Sequence, residues 1–308
     1  MNTGQDRVLV AAGLMIGYAV IIGFTDNYVR VIATEAGLWQ FHATRSAMAA
    51  ALLALFVPLL GLRLRPLRWR GVAARSLLHG FAMLIYFGAL AFLPVAIVAA
   101  GLFTAPIFVL LISRLAYGQI ISGVQITAVA IGFAGVVLVL GPEAMADASL
   151  AAVLPVLAGA MYAMGNIATR AWCAGESAET MLAGFFLVLG VFGVAGMIAL
   201  SVYPLAVAEG AEGFLQRGAV WPSATFLFWT FVQAAGSLIA VGMMIRGYQM
   251  TDAGRASVLE YVILPESAGW GWLLWGQMLE PLAVLGIAMI VAAGILILRG
   301  GRAVVAAT

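Results

Sequence analysis

The residues able to do chemistry in this chain are few, and each stands inside an apolar run. Glu260 and Glu266 lie in the run 252–276, Asp26 and Arg30 near the end of the first run, and His79 in the third. A charge at the centre of a membrane-spanning helix costs about 2.5–3.5 kcal/mol on insertion scales, so such residues face cavities or partners. Glu260 can anchor a positive substrate group or couple a proton; the structural alternative is an ion pair with Arg255 or an arginine of another helix. Glu266 stands roughly 600° of helical turn further on, so the two carboxylates do not share a face. Pro265 between them is expected to bend the helix and free the carbonyl of Tyr261 for a ligand. Glu266 is then either a coupling group or a paired or protonated one.

Asp26 and Arg30 share a helical face as an i,i+4 acid–base pair. They form a structural bridge, or an outer gate that grips a zwitterion. Arg45 is expected to be structural and to pair with Asp26 or Glu35. His79 can relay protons, because imidazole titrates near neutrality, or simply hydrogen-bond between helices. Tyr86, Tyr162, Asn166, Trp229 and Gln233 lie well inside apolar runs. With Tyr261 they are candidates to line a substrate site, where aromatic faces hold a cation or a planar ring. His42 lies nearer an interface. The two histidines fall on different runs and no cysteine cluster joins them, so neither a metal site nor a cofactor is expected. A single cysteine, Cys173, allows no intrachain disulfide.

The elements that must position these groups are membrane helices. Hydrophobic residues make up 64% of the 308 and charged residues 9%, far below the roughly 25% charge of a soluble domain. A net charge of +2 gives no case for nucleic acid. Lipid leaves no water for backbone groups, so only helices or closed barrels can span it. The runs are about as long as the 20 residues a helix needs to cross a bilayer, and they do not alternate. Ten spans are expected: 8–30, 38–61, 71–92, 94–117, 121–141, 149–173, 178–204, 222–249, 252–276 and 280–299. The third and fourth are separated only by a turn at Leu93-Pro94. The first is too long and too weakly basic at its start for a cleaved leader. Trp39, Trp69 and Trp221 fall at span ends, as interfacial belt residues do.

A repeated phrase divides the chain. Ala116-Tyr117-Gly118-Gln119 precedes Ala134-Gly135-Val136, and Leu274-Trp275-Gly276-Gln277 precedes Ala293-Gly294-Ile295. Residues 1–145 and 146–308 thus read as two units of five spans, joined through Pro142, Glu143 and Asp147. An odd span number turns the second unit upside down relative to the first. Inverted repeats place a substrate site near the bilayer midplane between the halves. Arg63, Arg65, Arg68 and Arg70 cluster on the side shared with both termini, whereas Arg217 falls on the other with Glu35, Glu143, Asp147, Glu209, Glu212 and Glu280. The positive-inside rule then puts both termini in the cytoplasm.

At this point the chain resembles ten-helix members of the drug/metabolite transporter superfamily, of the EamA type. Leu93-Pro94-Val95-Ala96, Thr104-Ala105-Pro106-Ile107 and Gly132-Phe133-Ala134-Gly135-Val136 resemble that family's fourth and fifth helices. Arg45, the Asp26/Arg30 pair, and Glu260-Tyr261 followed by Trp270-Gly271-Trp272 match in order and spacing. The resemblance implies a central cavity lined by spans one, three, four, six, eight and nine. It departs at Gly118-Gln119 and Gly276-Gln277, where the family usually has Gly-Glu, and at Glu266, where an apolar or small residue is usual. The lost charge is expected to matter little, because a group at that place ends a helix rather than holding a ligand.

The expectation is an all-α carrier in a bacterial inner membrane, a monomer or homodimer, moving a small cationic or zwitterionic metabolite by alternating access. Such cargo resembles amino acids, amines, nucleosides or vitamins, with proton coupling or exchange as the drive. An exporter of hydrophobic or aromatic amino acids is the alternative. A lipid-acting membrane enzyme would need a nucleophile with its base, a metal set or paired interfacial carboxylates, and none stands in the sequence. A signalling or scaffold protein would need a soluble segment or long loops.

Overall fold

The computed structural model describes residues 3–89, 95–141 and 153–305. Every regular element among them is helical: α1 (Thr3–Asn27), α2 (Val29–Glu35), α3 (Leu38–Leu59), α4 (Trp69–Ala89), α5 (Val95–Leu102), α6 (Ala105–Leu115) and α7 (Gly123–Leu140) in the first half. The second half holds α8 (Val153–Ala171), α9 (Ala178–Val202), a 3-10 turn at Gly210–Phe214, α10 (Ala224–Met250), α11 (Ala253–Glu260), α12 (Ile263–Trp275) and α13 (Pro281–Val305). The expected turn at Leu93-Pro94 and the linker residues Pro142, Glu143 and Asp147 lie outside the described residues, as does the boundary between the two expected units.

Eight stretches among the described residues are long and apolar enough to cross a membrane. They correspond to eight of the ten expected spans. The other two differ for visible reasons. The described part of the sixth, α8, carries Asn166, Thr169 and Arg170. The ninth is cut at Tyr261–Val262 into α11 and α12.

Local sequence sets the helix ends. Ser122, Ser177, Ser223 and Asp252 stand just before apolar runs, and each side chain accepts from the backbone N–H three residues on. Such caps contribute about 1 kcal/mol each. The repeated Gly-Gln phrase is a helix stop. Gly118 (φ +63) and Gly276 (φ +65) adopt the left-handed conformation that a side chain disfavours. Each donates its N–H four residues back, to Arg114 and Trp272, and the following glutamine N–H reaches six back, to Ser113 and Gly271.

The helices pair across the halves. α7 packs on α13, α3 on α9, α1 on α10, α4 on α8, α1 also on α11 and α12, and α8 also on α5 and α6. Glycines set the closest approach. A Cβ on Gly135 would lie 2.7 Å from the Gly286 carbonyl oxygen, and one on Gly286 would lie 2.5 Å from that of Gly135. Gly135→Val is therefore expected to lower the melting temperature in detergent, at a cost of about 1–3 kcal/mol for overpacking; an unchanged melt would mean that α7 and α13 do not meet there.

Two opposite faces emerge from the loop contacts. On one, Arg63 donates to the Gly175 carbonyl (3.0 Å), the Arg68 N–H donates to Glu176 (2.5 Å), and Gln125 donates to Asp252 (3.0 Å). On the other, Trp39 donates to Leu215 (3.1 Å) and Gln40 bonds both backbone groups of Val220. There Arg217 caps the end of α2 by donating to the carbonyls of Ala33 (2.6 Å) and Ala36 (3.2 Å). Trp69 and Trp221, expected at span ends, are exposed, whereas Trp39 is half-buried under that loop.

Candidate functional site

A cavity of about 190 Å³ lies between the halves, room for roughly six waters. Its wall takes Asp26 from α1, His42 and Arg45 from α3, Arg75, His79 and Tyr86 from α4, Tyr162 from α8, and Gln233 from α10. Both helix interruptions open onto it: Leu102, Phe103, Ala105 and Pro106 around the α5–α6 break, and Glu260, Tyr261 and Ile263 around the α11–α12 break. α3 and α9 contribute as well, so the wall is wider than the six spans expected.

The two breaks have local causes. Thr104 donates its hydroxyl to the Gly101 carbonyl (2.6 Å), and Pro106 stands in the first turn of α6, where a missing N–H costs nothing. At the second break the expected geometry is corrected. The helix stops at Tyr261, before Pro265, and the N–H of Leu264 takes the Tyr261 carbonyl at 3.1 Å. That carbonyl is not left free for a ligand. Pro265 falls in the first turn of α12, where it is tolerated.

Glu260 is the hub of the closed end. Tyr162 donates its hydroxyl to Oε1 at 2.7 Å. Tyr248 donates to Oε2, and the Asn166 amino group donates to Oε2 at 3.3 Å and to the Tyr248 hydroxyl oxygen at 3.0 Å. The Asn166 carbonyl oxygen faces His79 Nε2 at 3.0 Å, and His79 Nδ1 lies 3.1 Å from the Arg75 carbonyl. All of these groups but Tyr162 are buried. The expected structural alternative of a Glu260–Arg255 pair is corrected, since Arg255 pairs with Asp252 at 3.0 Å.

The other end is accessible. Asp26 is exposed to the cavity and accepts from Gln233 Nε2 at 2.7 Å; Ser237 holds the Gln233 carbonyl oxygen at 2.9 Å. α10 carries Gln233, the partner of Asp26, and Tyr248, a partner of Glu260, about 22 Å of helix axis apart. The two carboxylates thus occupy opposite ends of the cavity. Arg45 lies by Asp26, its guanidinium 5.4 and 5.3 Å from the rings of Phe41 and Phe186, with Nε buried and unpartnered.

Several expected placements change. Asp26 and Arg30 form no pair: the helix turns tightly at Tyr28, and Arg30 lies over the Trp275 ring at 3.9 Å. A double-mutant cycle of Asp26→Asn with Arg30→Gln in thermal melts is expected to show coupling below about 0.5 kcal/mol; a coupling above 1 kcal/mol would restore the bridge. Arg45 pairs with neither Asp26 nor Glu35, which accepts from Ser223 at 2.5 Å. Trp229 stacks on Tyr28 (centroids 3.5 Å apart, 12° between planes), off the cavity wall. Glu266 is also off that wall, in the helix that packs on α1. Tyr86, Tyr162, Gln233, Tyr261, His79, Asp26 and Glu260 are on it, with Asn166 just behind Glu260.

Sequence reasoning missed Arg75, Tyr248 and the cavity positions of His42 and Arg45. One signal was present. Arg75, His79, Met83 and Tyr86 recur at helical spacing, a polar-to-aromatic stripe on one face of α4.

Residues 9–141 match the EamA-like transporter family. The chain is 24% identical over 297 residues to the pseudopaline exporter CntI of Pseudomonas aeruginosa, covering 94% of this chain and 97% of that protein. It is 28% identical over 233 residues to a riboflavin transporter of Rhizobium johnstonii, covering 75% and 70%. A solved crystal structure superposes with a TM-score of 0.73 at 18% identity, over 92% of this chain and 96% of that one, a likeness of fold. The matched family and these relatives are transporters, and eight stretches among the described residues are long and apolar enough to cross a membrane.

Proposed function

We propose that this chain is a secondary carrier that moves a small, charged organic metabolite by alternating access between two five-helix units, 1–145 and 146–308, of opposite orientation. Ten spans result when α8 counts as the sixth and α11 with α12 as the ninth. The helix pairing supports this reading, because exchanging the halves maps it onto itself: α1 on α10 corresponds to α4 on α8, and α8 on α5–α6 to α1 on α11–α12. The two Gly-Gln stops support it too, since they end helices with the same backbone bonds. Broken helices at the midplane of inverted repeats are where carriers of this kind bind cargo. The arginine-rich face is assigned to the cytoplasm, with both termini, in the inner membrane.

The observation that carries the function is the cavity itself. Helices of both halves wall it, both breaks open on it, and Asp26, Arg45, Arg75 and Glu260 line it without an ion pair among the described residues. Charged groups at both ends favour a zwitterionic metabolite over the neutral aromatic amino acids of the alternative. The pseudopaline exporter and the riboflavin transporter support cargo of small-organic-molecule size, and the former supports export. In this conformation the Asp26 end is accessible and the Glu260 end closed, the picture of an outward-facing carrier. Exchange of protons or a second solute would return it.

A thermal-shift screen of the purified chain against amines, amino acids, nucleosides and vitamins tests the reading. A ligand at 100 times its Kd stabilises the folded form by about 2.7 kcal/mol. Hits that also drive counterflow in proteoliposomes are expected. A screen with no hit and no counterflow would overturn the carrier reading.

A further inference from the structure

Arg75 stands out among the arginines. It is 1% exposed, on the cavity wall beside His79, and a guanidinium does not shed its proton in a protein. Its Nε donates to the Thr169 hydroxyl at 2.7 Å, and that hydroxyl in turn donates to the Gly165 carbonyl at 3.0 Å. One edge of the guanidinium is thus fixed. Its two terminal amino groups have no acceptor, and no carboxylate within 4 Å, among the described residues. A structural arginine in this same chain behaves differently: Arg217 donates to three carbonyls, of Ala33, Ala36 and Gly210. Leaving a buried charge without a counter-charge is strongly destabilising. The planar fork matches a carboxylate through two parallel hydrogen bonds.

Resting on the carrier reading above, we propose that Arg75 binds a carboxylate of the transported molecule, making the cargo an amino-acid-like zwitterion rather than a simple cation. Glu260 cannot serve as a bare anchor, because Tyr162, Tyr248 and Asn166 already occupy its oxygens. Its charge still favours an ammonium group placed between it and Arg75. A phosphate monoester fits less well, since its second charge would face Glu260. Thr169 acts as a positioning residue that aims the free edge of the guanidinium.

The test measures binding of the common amino acids, each beside its α-amide, to the purified full chain by thermal shift, with choline and inorganic phosphate as further probes. At least one free acid is expected to bind about tenfold or more tightly than its amide, the discrimination a bidentate pair supplies. Arg75→Gln should abolish that preference, Arg75→Lys should keep part of it, and Thr169→Val should weaken it with Arg75 intact. Monodisperse elution of each variant checks folding. The proposal is overturned if amides bind as well as acids, if Arg75→Gln keeps the preference, if phosphate binds better than any carboxylate, or if no free acid binds. Choline binding that depends on Asp26 or Glu260 would overturn the carboxylate site and leave the carrier reading standing. No binding and no counterflow by any solute would overturn both.

Discussion

Glu260→Gln is expected to reduce transport by about 100-fold, the equivalent of about 3 kcal/mol lost from hydrogen bonds to a charged group. Glutamine matches the shape of glutamate but not its bonding. With the amino group on the Oε2 side it faces the Asn166 amino group, donor against donor. On the Oε1 side it can donate only if the Tyr162 hydroxyl turns from donor to acceptor, so that bond to a charged oxygen is lost. The loss reaches His79 through Asn166, whose carbonyl oxygen is held by the ring. Counterflow rate and melting temperature should therefore fall together. Wild-type counterflow in Glu260→Gln would show that this hub plays no part in cargo movement. Glu266→Gln, half-buried and off the cavity wall, keeps the shape of the side chain and is expected to transport within about twofold of wild type, as substitutions away from special features usually cost about 0.5 kcal/mol or less.

The second large effect is expected at Gly165. A Cβ there would penetrate the His79 ring, so Gly165→Val must push α8 from α4 or turn the imidazole out of the cavity wall. Both routes break the chain from His79 through Asn166 to Glu260. Overpacking costs about 1–3 kcal/mol, and transport should fall to background. Gly13→Ala is the matched control, because nothing lies within 4 Å of a Cβ at that position. A Gly165→Val variant with wild-type melting and counterflow would mean that the α4–α8 contact is looser than described.

Eight of the ten expected spans and the two Gly-Gln stops were legible, because apolar length and a left-handed glycine are local properties. Gly118-Gln119 and Gly276-Gln277 end helices, as the resemblance implied. The facing of residues was not legible. In lipid, the outside of a helix is as apolar as its inside, so hydrophobic periodicity does not tell which side looks inward. Trp229 and Tyr86 therefore looked alike in sequence, yet one stacks on Tyr28 and the other lines the cavity. Arg75 was hidden by its neighbours: it follows the cluster Arg63, Arg65, Arg68 and Arg70 closely enough to pass for another interfacial charge. The Asp26/Arg30 pairing failed because i,i+4 spacing holds only inside an unbroken helix, and the chain turns at Tyr28. Pro265 drew the bend four residues too late, since the helix had already stopped at Tyr261.

The opposed orientation of the two units is the claim on which the rest depends, and the repeated Gly-Gln phrase offers matched sites to test it. In a Cys173→Ser background, Gln119→Cys and Gln277→Cys place one thiol at equivalent points of each unit. Membrane-impermeant maleimide applied to intact cells is expected to label position 277 and spare position 119, and inverted vesicles should give the reverse. Labelling of both positions from the same side would contradict inversion and, with it, the site between the halves.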